Sequence, residues 1–377
     1  MSIASIRTRA VAVPVDKPTR MSNRELNVRH YLLVEVTDSD GVTGVGYTYA
    51  GTGAGMLAKV AAEDLLVPVY LGADPNDVTG LWEKAFQETL LEGRRGTVIR
   101  ALSAIDIALW DLRAKRAGLP LVSLLGGSTD SLPSYASGGY YRPDEGDWAE
   151  AVVRELEFNA SQGFTDHKIK VGGLSVAEDA RRVAAASAAI GDTGRLALDA
   201  NNAYRSVHEA RTAITAFERA AGDRGLWWFE EPLSPEAFAG HAELSRTIAT
   251  PVATGEIHQT RWEFRPLIEA GIPILQCDAG VAGGVTEWLR IAATAATFGS
   301  QMAPHWHHNL HVHLCGAVPN ALVVEYFAGE KGIYNFEKLL TPETRLEYGG
   351  NRVRIPARPG LGIEFDPELV SKFELMG

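Results

Sequence analysis

Five apolar runs in the second half of the chain each end in a charged or titratable group, and the intervals between those groups are nearly constant. "RLALDANN" carries Asp199, "LWWFEEP" Glu230 and Glu231, "TPVATGE" Glu256, "PILQCDAG" Asp278 and "SQMAPHW" His305. The steps from 199 to 230, 230 to 256, 256 to 278 and 278 to 305 each span one strand plus one helix. Amphipathic stretches such as "VAEDARRVAAASAAI" separate the runs, so strand and helix alternate, the pattern of a parallel sheet. About 200 residues beyond Ser131, at roughly 25 per unit, allow seven or eight βα units and favour a closed barrel over an open sheet. No G-x-G-x-x-G or Walker loop supports the open form. In such a barrel the C-terminal strand ends make one mouth, so groups in step with the strands converge on it.

The first 125 residues have another texture. "HYLLVEVTDSDGVTGVGYT" reads as a hairpin, and "TVIRALSAIDIALWDLRAKRAG" as a buried helix ended by Gly118 and Pro120. An α+β domain over 1–125 is expected, then a barrel over 126–325 and a C-terminal segment over 326–377. A chain of 377 residues exceeds one ordinary core, which fits two unequal domains. The net charge of −11 argues against general affinity for nucleic acid or anionic membrane. Cys277 and Cys315 cannot build a disulfide framework and suit a reducing cytoplasm. Nowhere do about 18 apolar residues run together, so no membrane span is expected.

One strand unit before Asp199, "DHKIKVGG" places Lys168 and Lys170 two apart, on one face of a strand. On its own the pair also fits an edge strand with two solvated lysines. Facing the acids, the lysines acquire a purpose. Asp199, Glu230 and Glu256, with no Cys or His among them, form an all-oxygen set suited to Mg²⁺ rather than Zn²⁺. Asp278 and His305 fall across the mouth from the lysines, where an Asp orients an imidazole and raises its basicity. The arrangement suits removal of a proton next to a carboxylate, with a divalent cation stabilising the enolate. Lys170, its pKa expected to be lowered by Lys168 and the metal, faces one side and His305 the other.

With these parts in order, the chain resembles the enolase superfamily in its mandelate racemase subgroup (the mandelate racemase/muconate lactonizing enzyme family), and the match covers nearly its whole length. The K-x-K motif, three carboxylate ligands, His–Asp dyad and late Glu of that group correspond to Lys168, Lys170, Asp199, Glu230, Glu256, Asp278, His305 and Glu325 of "VVEYF". The resemblance implies a modified (β/α)7β barrel of the TIM type, with an N-terminal α+β cap completed by a tail containing "PGLGIEFD". It also implies Glu230 rather than Glu231 as ligand, Glu231 behind it, Asn201 at the substrate, Glu325 bonded to the substrate carboxylate, and a symmetric homo-oligomer, commonly an octamer. In the family an early loop of the cap contacts the substrate. Here "DKPTRMSNRELNVRH" carries Lys17, Arg20, Arg24 and Arg29, which suit a polyhydroxylated or doubly anionic substrate. The expected activity is a Mg²⁺-dependent dehydratase of aldonates or aldarates, giving a 2-keto-3-deoxy acid. A racemase or epimerase of a 2-hydroxy acid is the alternative on the same site. A zinc hydrolase would need an early H-x-H pair that is lacking, and a mere binder has no use for the lysines. His307, His308, His311 and His313 match no family role and are expected to be structural or rim residues.

Overall fold

The computed structural model describes residues 1–328 and 333–376, so 329–332 and 377 of the C-terminal segment lie outside the described residues. Strands β1 (Ile3–Arg20), β2 (Glu25–Asp38) and β3 (Thr43–Tyr49) form an antiparallel sheet in that order. Asp38 closes the β2–β3 turn by accepting the amides of Asp40 and Val42 at 2.9 and 3.0 Å. Side chains alternate along a strand, and this sheet buries both faces. Leu32, Val34 and Val36 pack on the cap helices, whereas Tyr31, Leu33, Val45 and Tyr47 enter the core shared with the barrel.

The helix Thr97–Ala117, buried on most sides, lies against β3 and ends at Gly118 in the left-handed conformation, φ 66°. The approach is backbone-close. A Cβ at Gly46 would stand 2.0 Å from the Ala104 carbonyl oxygen, and one at Gly44 2.1 Å from that of Ala108. Gly46→Val should therefore force helix and sheet apart at a cost of about 1–3 kcal/mol or more, lowering the Tm by several degrees in calorimetry. An unchanged Tm would show that this contact is not tight.

Eight parallel strands follow among the described residues: β4 (Ser131–Gly138), β5 (His167–Lys170), β6 (Leu196–Asp199), β7 (Phe229–Glu230), β8 (Val252–Thr254), β9 (Ile274–Leu275), β10 (Gln301–Met302) and β11 (Val324–Tyr326). Each of the first seven is followed by a helix before the next strand, giving the (β/α)7β order. β11 pairs with β4, and a parallel bridge from Met302 to Ala321 joins β10 to the approach of β11, closing the ring. Tyr135, Ala197, Trp228, Ala253, Ile274, Ala303 and Val323 form one apolar cluster drawn from strands around the ring, a packed floor rather than a pore. Local signals place the helices: Ser175 and Glu178 form a capping box, and Asp147 and Ser206 cap the helices before β5 and after β6.

Cap and barrel are stapled by buried carboxylates. Asp106 of the long cap helix accepts the amide and hydroxyl of Thr286, at 2.9 and 2.6 Å, at the start of the barrel helix Gly284–Thr297. Asp111 accepts the amides of Val45 and Leu361, tying β3 to the tail. The tail first lays a hairpin, β12 (Tyr348–Gly349) and β13 (Arg352–Arg354), along β4, and then returns to the cap. There the Leu375 amide donates to Ala10 O, at 2.8 Å.

Candidate active site

All four residues of β5 are buried, and Lys168 and Lys170 share the inner face while His167 and Ile169 point outward. The parallel register sets Lys170 beside Asp199, and Asp199 beside Glu230. Lys168 Nζ lies 2.5 Å from Glu230 Oε1, 2.8 Å from Glu325 Oε1 and 3.8 Å from Asp199 Oδ2. Lys170 pairs with Asp199. Carboxylate oxygens of Asp199, Glu230 and Glu256 lie within 4.8 Å of one another, so three successive strand ends supply one cluster.

The cluster carries more negative charge than its neighbours neutralise. Burial, then the charge of Asp199, pushes Glu230 up to about 8 against the pull of Lys168. Burial likewise takes Glu256 to about 7 despite His305. Glu256 Oε2 is buried without a hydrogen-bond partner. An all-oxygen donor set with an orphaned oxygen fits a hard divalent cation. Asp199 and Glu325 go the other way: burial works to raise both, but Lys170 and Lys168 outweigh it at Asp199, and Lys168 does so at Glu325.

Lys170 is paired with an acid that bears directly on its charge. Among the chain's own groups burial works hardest, to lower its pKa, but Asp199, Tyr140 and Glu230 together outweigh burial and Lys168, and the ammonium is held above the usual lysine range.

Across the mouth, His305 Nδ1 donates to Asp278 Oδ2 at 3.0 Å, and His305 Nε2 stands 3.7 Å from Glu256. Burial opposes protonation, but Glu256 and Asp278 raise His305 to about 9. His307, His308, His311 and His313, expected to be structural or rim residues, are all buried. His307 Nδ1 donates to Asp278 Oδ1 at 2.7 Å beside the Gly280 amide, so one carboxylate orients two imidazoles. His311 accepts from the Ala279 amide, His308 meets Glu337, and His313 lies between Val122 N and Leu361 O.

Backbone strain collects here. Asn201, Asn202, Glu231 and Trp306 have φ of 43°, 63°, 41° and 64°, each within three residues of Asp199, Glu230 or His305. Glu231 accepts from Thr254 Oγ1, the Gly255 amide and Asn202 Nδ2, which turns it away from the cluster and ties three strand ends together. Asn201 bonds Asp199 through its amide and side chain. Glu325 accepts the Trp306 amide at 2.6 Å.

The early cationic loop is divided. Lys17 and Arg24 are exposed. Arg20 donates to Gly173 O at 2.9 Å, and Ser22 to Val171 O, so this loop docks on the end of β5. Arg29 alone of the four is buried, its guanidinium 4.0 Å over the Trp306 ring. Tyr140, 5.0 Å from Lys170 Nζ, and Trp306 are site residues that the sequence reading missed. Their signal was position, Trp306 directly after His305 and Tyr140 just past β4.

Comparison with known proteins agrees with this architecture. Residues 3–126 match the family model "Mandelate racemase / muconate lactonizing enzyme, N-terminal domain", and residues 151–369 match "Enolase C-terminal domain-like". The L-talarate/galactarate dehydratase of Salmonella typhimurium is 35% identical over 360 residues, covering 93% of this chain and 85% of that protein. The arabinonate dehydratase of Saccharolobus solfataricus is 32% identical over 336 residues, covering 87% and 86%. A racemase from Streptomyces coelicolor, solved with bound magnesium, superposes with a TM-score of 0.91 at 28% identity over 99% of this chain and 100% of that one. No helix among the described residues is long and apolar enough to cross a membrane.

Proposed function

The chain belongs to the mandelate racemase / muconate lactonizing enzyme family of the enolase superfamily, and we propose that it is a magnesium-dependent acid-sugar dehydratase acting on aldonates or aldarates. The observation that carries this reading is the pairing of Lys170 on β5 with the His305–Asp278 dyad beyond β9 and β10, on opposite sides of the Asp199, Glu230 and Glu256 cluster. Magnesium held by those three carboxylates would supply the positive charge that makes an α-proton next to a carboxylate removable.

The chain's own groups divide the remaining work. Lys168, paired with Glu230 and Glu325, is a fixed cation that favours the charge building on the substrate carboxylate. Lys170 or His305 takes the α-proton, and its C–H electron pair becomes the C2–C3 double bond as the β-hydroxyl leaves. The acid opposite supplies a proton to that hydroxyl, which departs as water. The resulting enol tautomerises to the 2-keto-3-deoxy acid. Lys170 accepts a proton only when Asp199 is engaged by another cation, since their pairing keeps the lysine charged. Asp278, anchored by His307 and the Gly280 amide, holds His305 in its tautomer. Relatives named as dehydratases support the reaction class. Two buried free cysteines fit a cytoplasmic setting.

The same opposed pair would also support 1,1-proton transfer, and the likeness to a racemase keeps epimerisation of a 2-hydroxy acid as the second reading. A panel of aldonates and aldarates with Mg²⁺, assayed for 2-keto acid, separates the two: dehydration yields a carbonyl and epimerisation does not. Asp278→Asn should leave the fold intact and lower turnover about 10–100-fold, because the amide cannot hold two imidazoles as the carboxylate does. Near-wild-type turnover in that variant would remove the dyad from the mechanism.

A further inference from the structure

Arg29 is the one buried cation among the four of the early segment, and among the described residues it has no carboxylate partner. It lies on β2, on the same strand face as Tyr31 and Leu33, which pack toward the barrel. The residue is 4% exposed, and its Nε has no hydrogen-bond partner. Its neighbours are aromatic: the guanidinium sits 4.0 Å from the Trp306 ring centre and 5.3 Å from that of Tyr49. No carboxylate among the described residues forms an ion pair with it. The buried Arg182, in contrast, bonds Asp179 and two backbone carbonyls.

Aromatic faces attract a guanidinium without neutralising it, and a buried charge is costly unless paired. The location indicates where the anion comes from. Trp306 follows His305, the two rings are 6.0 Å apart, and the Trp306 amide is bonded to Glu325. Arg29 thus adjoins the mouth beside Trp306, and Tyr140, whose ring faces Lys170, is also near it. Lys17 and Arg24 are exposed, and Arg20 donates to Gly173 O.

We infer that Arg29 binds the second carboxylate of a dicarboxylic sugar acid, so that the substrate class is aldarate rather than aldonate. The inference rests on the proposed function and narrows it. A planar guanidinium meets a carboxylate through two parallel hydrogen bonds, a match that a terminal hydroxymethyl group lacks.

The test compares diacids with monoacids of the same hydroxyl configuration, in the wild-type enzyme, Arg29→Met and Arg29→Lys, with Mg²⁺ present. The wild type should favour the diacid by about 100-fold or more in kcat/KM, and Arg29→Met should erase most of that preference through KM. Arg29→Lys, which keeps the charge and loses the fork, should fall between them. It carries the mutational test, with the wild-type ratio, should the methionine variant not fold. A wild type that dehydrates monoacids in preference overturns the inference and leaves the proposed function standing. An equal loss toward both acids overturns it too, since Arg29 would then act on the reacting end or on the fold. No keto acid and no α-proton exchange with any acid would overturn the proposed function itself, and this inference with it.

Discussion

Lys170→Ala is expected to cut turnover by about 1,000-fold or more, at the upper end of what a positioned acid–base group contributes. The side chain is buried, faces the inside of the barrel and pairs with Asp199 in register, so no other ammonium stands in its place. Lys168 is the nearest candidate, but it is held between Glu230 and Glu325. The substitution should spare the fold, because Lys168 still lies 3.8 Å from Asp199 and keeps that carboxylate compensated. Binding of Mg²⁺, measured by calorimetry, should persist, since the lysine is not a ligand. A variant that keeps more than about a tenth of the wild-type rate would end the role assigned to Lys170.

Chelation of all divalent metal is expected to have an effect of similar size. A Lewis-acid cation contributes several kcal/mol to charge stabilisation, which corresponds to a loss on the order of 1,000-fold or more, restored by adding Mg²⁺. Thermal stability should respond as well. Glu230 and Glu256 are raised to about 8 and about 7 by burial and crowding, so a cation that satisfies them binds the folded chain in preference to the unfolded one. At 100 times the dissociation constant that preference is worth about 2.7 kcal/mol, visible as a Tm rise with Mg²⁺ concentration. Asp199→Asn and Glu230→Gln should each weaken the rise. Full activity in the presence of chelator, or a Tm indifferent to Mg²⁺, would count against the carboxylate cluster as a metal centre.

The barrel and the cluster were legible because each depends on period. A strand that carries its charged group at its C-terminal end, repeated about every 25 residues, can be read from one sequence, and the register of β5, β6 and β7 follows it. The choice between Glu230 and Glu231 was not legible from the residues. Two adjacent acids look alike in sequence, and only the bend at Glu231, φ 41°, with its bonds to Thr254, Gly255 and Asn202, turns one of them away. The state of Lys170 depends on contacts between strands, with Asp199 and Tyr140 foremost, which the K-x-K spacing does not carry. Arg29 was grouped with three loop cations. Its face on β2, shared with Tyr31 and Leu33, was available in the period-two pattern and would have set it apart. His307, His308, His311 and His313 could not be divided into roles, because Asp278 reaches His307 as well as His305 only once β9 and β10 are adjacent.

The central claim is proton removal next to a carboxylate between Lys170 and His305, and isotope exchange tests it most directly. Purified enzyme with Mg²⁺ and a panel of aldonates and aldarates in D₂O would be followed at once for 2-keto acid and for deuterium at the α-carbon. The expected product is 2-keto-3-deoxy acid carrying solvent deuterium at C3, from a narrow set of acids. Keto acid formation and α-deuterium uptake both lacking across the whole panel would contradict the claim.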